Sequence, residues 1–213
     1  EAFGRIQCPV YAVGGWSDAY VNAVPRLLAG LHGPRKGLIG PWAHLYPHEG
    51  VPGPAIGFLQ ELLRWWDYWL LGRETGVMAE PMLRAWMQDS VRPAGLLAER
   101  PGRWVGEAHW PSPRIHRKTY KLAEGRAPAL IQSPPTTGLA AGAWCGFGVA
   151  GDQPGDQRID DAHSLVFDMA PLAAPLEILG AATLALDVEC DRPQAMLAVR
   201  LCDVAPDGAS LRV

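Results

Sequence analysis

An aspartate and a histidine, Asp18 and His44, stand 26 positions apart, each in a loop that follows a short apolar run. A carboxylate next to an imidazole accepts a hydrogen bond from one ring nitrogen and fixes the tautomer. It then stabilises the imidazolium that forms when the other nitrogen takes a proton. Such a pair is the acid and base of acyl transfer by a side-chain nucleophile, provided that the two loops meet. Trp16 and Trp42 flank the pair in sequence. Their indoles either pack beneath the loops or wall an apolar pocket as substrate-binding residues.

The elements that would bring the two loops together lie between Val10 and His48. Val10, Tyr11, Ala12 and Val13 form an apolar run ended by Gly14-Gly15, as expected of a strand buried on both faces. Val24, Leu27, Leu28 and Leu31 recur at helical spacing, and Gly33-Pro34 stops the helix. Lys36 to Ile39 starts a second short strand, broken by Gly40-Pro41. Two parallel strands and one crossover helix make a βαβ unit, whose chemistry sits at the carboxyl ends of the strands. Asp18 and His44 are thereby placed to meet. In α/β-hydrolases the nucleophile precedes the acid and the acid precedes the histidine. Only 17 residues lie upstream of Asp18, with no G-x-S-x-G among them, so the serine is expected to precede this sequence. Ser17, in Gly15-Trp16-Ser17-Asp18-Ala19, is an imperfect elbow and would need an acid and a base on later strands of the same sheet, where only one further strand of that type is expected.

The segments Gly14-Gly15-Trp16-Ser17-Asp18-Ala19-Tyr20 and Gly40-Pro41-Trp42-Ala43-His44 resemble the acid and histidine loops of the Xaa-Pro dipeptidyl-peptidase and cocaine-esterase group (CocE/NonD) of α/β-hydrolases. Further points of resemblance follow in order at 62–70, at Trp104 to Trp110-Pro111 and at Asp203 to Gly208. The resemblance implies a serine hydrolase of esters or amides, with Asp18 as triad acid and His44 as general base. It also implies a C-terminal jelly-roll domain of galactose-binding-like type. The family's nucleophile elbow and oxyanion hole have no counterpart in this sequence, so the chain alone is expected to be inactive.

Downstream, Phe58, Leu59, Leu62, Leu63, Trp66, Trp69 and Leu70 recur at three and four residues, and Gly72 follows. This is an amphipathic helix, expected to pack along the hydrolase sheet. From Arg73 helical periodicity gives way to short apolar or alternating runs at 82–87, 102–105, 118–122, 164–167, 176–179, 182–188 and 196–201. Short strands with turn signals between them predict a β-sandwich. The fold class is therefore the C-terminal part of an α/β-hydrolase sheet over 1–72, followed by an incomplete jelly-roll β-sandwich over 73–213. Residues 1–8 and 125–155 are expected to be loops, the latter on the surface. Asp203 to Gly208 predicts a turn, with Ala209 to Val213 opening the returning strand of a hairpin whose sheet is left unfinished.

Composition narrows the partners. A formal charge of −3 and a pI near 6.1, without a basic run, argue against nucleic acid. No apolar segment approaches the roughly 20 residues that span a bilayer. Cys8, Cys145, Cys190 and Cys202 lack metal spacing and are expected as buried free thiols, which favours a cytoplasmic setting. No cofactor is implied, and no metal. Pro47 keeps His44 and His48 off one helix face, while Asp160, Asp161, Asp203 and Asp207 match no calcium loop and read as solvated turns. The expected partner is a small ester or peptide substrate, and a homo-oligomer is compatible with the sequence. The rival reading is a non-catalytic β-sandwich module that binds carbohydrate or a protein partner.

Overall fold

A computed structural model describes residues 2–122 and 128–213. Glu1, and residues 125–127 of the expected surface loop, lie outside the described residues. The rest of the expected first loop contains a 3-10 turn at Ala2–Arg5.

Val10–Gly15 forms β1, Ala23–Gly30 forms α1 and Arg35–Gly40 forms β2, the βαβ unit expected from their apolar spacing. β1 and β2 run parallel, in register from Val10 beside Arg35 to Gly15 beside Gly40. Val24 and Leu28 of α1 lie on Ala12 and Ile39 in one buried cluster. α1 ends at Gly30 with Leu31 already extended, before Gly33-Pro34 is reached. β1 is half-buried rather than buried on both faces, because it is the outer strand of the described sheet. β2 has a neighbour on each side and is buried from Lys36 to Gly40.

Leu83–Gln88 forms β3 and Gly102–Glu107 forms β4, but not in a sandwich. β3 pairs parallel to β2 from Gly37–Leu83 to Ile39–Ala85, and β4 pairs antiparallel to β3. The sheet order is β1-β2-β3-β4, so one sheet crosses position 72. Leu83 and Ala85 enter the same cluster as Ala12, Val24, Leu28 and Ile39. Alternation in a run fixes which face is buried, not which strand lies alongside.

The crossover between β2 and β3 contains α2, Phe58–Leu71, closed by Gly72 in the left-handed region at φ 64. Trp65 is buried against the Tyr11 ring, with centroids 5.2 Å apart. Glu61, also buried, accepts hydrogen bonds from Tyr11 Oη (2.6 Å) and from Arg84. Burial, followed by the hydrogen bond to Glu61, pushes the Tyr11 phenol far above its ordinary value. Beside them the fully buried Lys36 donates to Val77 O and lies 3.5 Å from Glu80 Oε2. Burial lowers Lys36, with Glu80 opposing, and the same burial would raise Glu80. Arg64, Arg84 and Lys36 outweigh it and hold Glu80 below the usual carboxylate range. Interior charges in this region are thus paired, as buried charges must be. The opposite stripe of α2, Leu59, Leu63, Trp66 and Leu70, is exposed, which removes all four from the expected packing face; the buried face carries Phe58, Glu61 and Trp65 instead.

Cys202–Val204 (β5) and Ser210–Arg212 (β6) form the expected hairpin, with Gly208 at φ 83 in its turn. It rests on a polar knot around the short helix α3, Arg158–Asp161. Gln157 donates through its backbone to Ser210 O (2.9 Å) and through its side chain to Ala140 O (2.6 Å). Asp160 is buried rather than solvated, accepting from the Gly138 and Ala140 amides at 2.8 and 3.1 Å, with Arg200 at 3.5 Å. The runs at 118–122, 164–167, 176–179, 182–188 and 196–201 are not strands here, and from 168 to 199 every residue but Leu179 is exposed. Leu179 packs against the core cluster, while Leu176, Ile178, Leu184, Leu186 and Val188 stay exposed.

Two outcomes follow from this packing. Gly15→Ala places a Cβ 1.9 Å from Trp42 O, and overpacking of this kind is expected to cost about 1–3 kcal/mol in urea unfolding. Asp156 accepts from the Arg158 side chain and from the Arg158 and Ser210 amides, the side chain being the main cause that holds its carboxyl at about 2 rather than 3.8. A depressed folded value stabilises above the unfolded one and is lost on acidification. Protection of the Ser210 amide against hydrogen exchange should therefore weaken as pH falls from about 3.8 to about 2. In Asp156→Asn that acid-dependent step should be missing.

Candidate active site

The ends of β1 and β2 bring the two loops side by side. Because Gly15 and Gly40 are in register, the strand pairing continues past them: Trp16 N donates to Gly40 O (2.9 Å) and Ser17 N to Trp42 O (3.1 Å). The Trp42 carbonyl occupies the space where a side chain on residue 15 would project. Asp18 follows Ser17 directly and His44 lies two residues beyond Trp42, and their side chains meet with His44 Nδ1 3.1 Å from Asp18 Oδ2. The second oxygen, Oδ1, accepts from Tyr20 N (3.0 Å), which fixes the carboxylate's rotation. Asp18 is 13% exposed and His44 42%, so the acid is sheltered while the ring reaches solvent. This arrangement orients an imidazole by one nitrogen and leaves Nε2 available for proton transfer.

A third segment closes over the pair. His44 N donates to Gly146 O (2.8 Å), and the Phe147 ring stands edge-on to the imidazole with centroids 5.4 Å apart. Tyr20 packs against His44 at 5.6 Å and lies 6.3 Å from Trp144. The bend that presents these residues is held by Asp152, whose Oδ2 accepts from Phe147 N (2.7 Å) and Val149 N (2.9 Å). The sequence signal for this contact was weak: a Gly/Ala-rich stretch reads as a connecting loop, and nothing local couples it to His44.

The other expected residues fall as follows. Trp42 is 1% exposed, donates through Nε1 to Pro54 O (2.8 Å) and packs on Trp104 at 6.1 Å. Trp16 is half-buried on the core cluster and donates to Trp86 O (2.7 Å). Both indoles therefore pack beneath the loops in this structure, and Trp42 offers no face to a ligand. Ser17 Oγ is engaged with Gln153 Oε1 at 3.4 Å. His48 stacks with Tyr46 and Phe58, away from the pair. All four cysteines are free, but none is buried: Cys8 and Cys190 are exposed, Cys145 and Cys202 half-buried. The thiols sit at loop and edge positions, where apolar neighbours in sequence do not guarantee cover. Among the described residues no helix is long and apolar enough to cross a membrane.

Residues 75–213 match the family described as the X-Pro dipeptidyl-peptidase C-terminal non-catalytic domain, and residues 1–46 match the X-Pro dipeptidyl-peptidase (S15) family. The chain belongs to the X-Pro dipeptidyl-peptidase/cocaine-esterase-like family, as a C-terminal part. Two curated relatives are candidate serine esterases of Mycobacterium bovis and Mycobacterium tuberculosis, each 26% identical over 93% of this chain. The chain spans about a third of the length of these relatives (33%). Its lineage is that of serine hydrolases. Asp18 and His44 both fall in the S15 match, whereas β3, β4 and the 144–149 segment fall in the match described as non-catalytic. The two matched regions share one sheet and meet at His44.

Asp152→Ala removes the acceptor for both loop amides. Hydrogen exchange at Phe147 and Val149 should rise by about tenfold, the equivalent of one or two modest hydrogen bonds. Exchange in β1 and β2 should stay unchanged.

Proposed function

We infer that this chain supplies the acid and the base of a serine hydrolase acting on ester or amide bonds, with the nucleophilic serine and its oxyanion hole upstream in a longer polypeptide. The observation that carries the reading is the 3.1 Å contact between His44 Nδ1 and Asp18 Oδ2 inside the S15 match. In this mechanism the serine attacks the carbonyl carbon and His44 Nε2 takes its proton. The same nitrogen returns the proton to the leaving group, and water then releases the acyl group by the reverse sequence. Asp18 holds the ring through Nδ1 and offsets the charge of the imidazolium. Substrates of the acyl-ester class fit the lineage of the relatives, and X-Pro dipeptides fit the family description. The setting is the cytoplasm, and residues beyond the shared sheet belong to a jelly-roll, galactose-binding-like layer.

One observation favours a second reading. Residues 75–213 match a family described as non-catalytic, so that region on its own would act as a module binding carbohydrate or a protein partner. Such binding would survive Asp18→Asn and His44→Ala.

A fluorophosphonate serine probe separates the readings. The longest natural polypeptide containing this chain should be labelled, and the 213-residue chain should not. In the long form His44→Ala should abolish labelling, and Asp18→Asn should lower turnover by about 10⁴-fold with the fold retained. Labelling of the 213-residue chain that disappears in Ser17→Ala would make Ser17 the nucleophile and overturn the assignment. Labelling of neither form would leave the binding module.

A further inference from the structure

Cys145 adds a third donor to the acid–base pair. One ligand atom from each of Asp18, His44 and Cys145 lies within 4.8 Å of the other two. The thiol arrives on the segment tied to His44 by the Gly146 carbonyl and by the Phe147 ring, so its approach is fixed by the same contacts that close the site. Carboxylate, imidazole and thiolate are the donor types that zinc accepts, and three protein donors with one open position are an ordinary zinc arrangement. Bond lengths of about 2.0–2.3 Å to a tetrahedral ion put donors roughly 3.3–3.7 Å apart. The His44–Asp18 contact of 3.1 Å is already close to that spacing. The Cys145 thiol, within 4.8 Å of both partners, reaches it by a shift of at most about an ångström in a half-buried position next to a glycine.

We propose that Asp18, His44 and Cys145 form a binding site for a soft divalent transition-metal ion of the zinc class, and that occupancy shuts off the acid–base pair. The ion takes the place of the hydrogen bond between Asp18 Oδ2 and His44 Nδ1. The thiol gives its proton to solvent on binding. The ring keeps one proton, and coordination at Nδ1 confines it to Nε2, the nitrogen that must accept the proton of the nucleophile. The ion therefore blocks general-base function without touching the serine. Binding itself depends only on the three side chains, while its inhibitory consequence rests on the hydrolase reading above.

The test uses Co²⁺ as a spectroscopic probe and Zn²⁺ in competition, with the longest natural polypeptide carrying this chain. Co²⁺ should give a sulfur-to-cobalt charge-transfer band and tetrahedral d–d bands at one equivalent, both removed by Zn²⁺. Cys145→Ala should lose the charge-transfer band and weaken Zn²⁺ binding in calorimetry by at least about tenfold, and His44→Ala should do the same. Hydrolysis by the parent should fall with Zn²⁺ and recover with chelator, whereas Cys145→Ala should stay active and resist the ion. Absence of the sulfur band, or Zn²⁺ affinity unchanged in Cys145→Ala, overturns the proposal. Because these readouts are spectroscopic and calorimetric, they decide metal binding even if the hydrolase reading fails. A protein that binds the ion through Cys145 yet hydrolyses equally well in its presence would overturn the inhibitory role.

Discussion

The contact on which the site depends is the one between the backbone of Gly15 and the carbonyl of Trp42. Two parallel strands normally diverge into separate loops once their ladder ends. Here hydrogen bonding runs on through Trp16 and Ser17 to Gly40 and Trp42, because residue 15 has no side chain to hold the second loop off. The meeting of Asp18 and His44 is a consequence of that continuation. Their loops are short extensions of paired strands rather than independent excursions, and backbone atoms set the separation of the two side chains.

A second constraint acts from beneath the sheet. Lys36, Glu61, Glu80 and Arg84, with the Tyr11 hydroxyl, form a linked polar cluster among α2, β1, β2 and β3. Replacing such a cluster with apolar residues can be neutral or stabilising, but removing a partner of Lys36 or Glu61 leaves a buried charge less well paired. The cluster joins residues on both sides of position 72, so α2 is fixed to β1 and β3 together. Lys36 ties β2 into the same cluster, four residues before the strand ends at Gly40.

How much of this was legible in the sequence depended on range. β1, α1, β2 and α2 declare themselves by periodicity and by glycine punctuation, and the 202–212 hairpin by its Asp-Gly turn, because these signals act within a few residues. The Asp18–His44 contact was readable because a βαβ unit has one handedness and one functional edge. Sheet membership was not. The run at 82–87 is a strand in either architecture, and only the shared burial of Leu83 and Ala85 with Ile39 reveals its neighbour. The buried Gln157 and Asp160 were equally hidden, since polar residues near glycines resemble solvated turns until their backbone partners at 138–140 are known. Cys145 lies more than a hundred positions from His44, and no local pattern marks that proximity.

The seam between the two family matches also bears on how this lineage can be recombined. A crossover placed near residue 74, where the second match begins, would separate β2 from β3 and Asp18 from the segment over His44. A donor sequence grafted there would have to supply an inner sheet strand in the right register, not merely an appended domain. Recombination of this chain at that seam is therefore constrained by backbone pairing as well as by linker composition. Exchange points that keep β4 with β1 are the ones expected to yield folded hybrids.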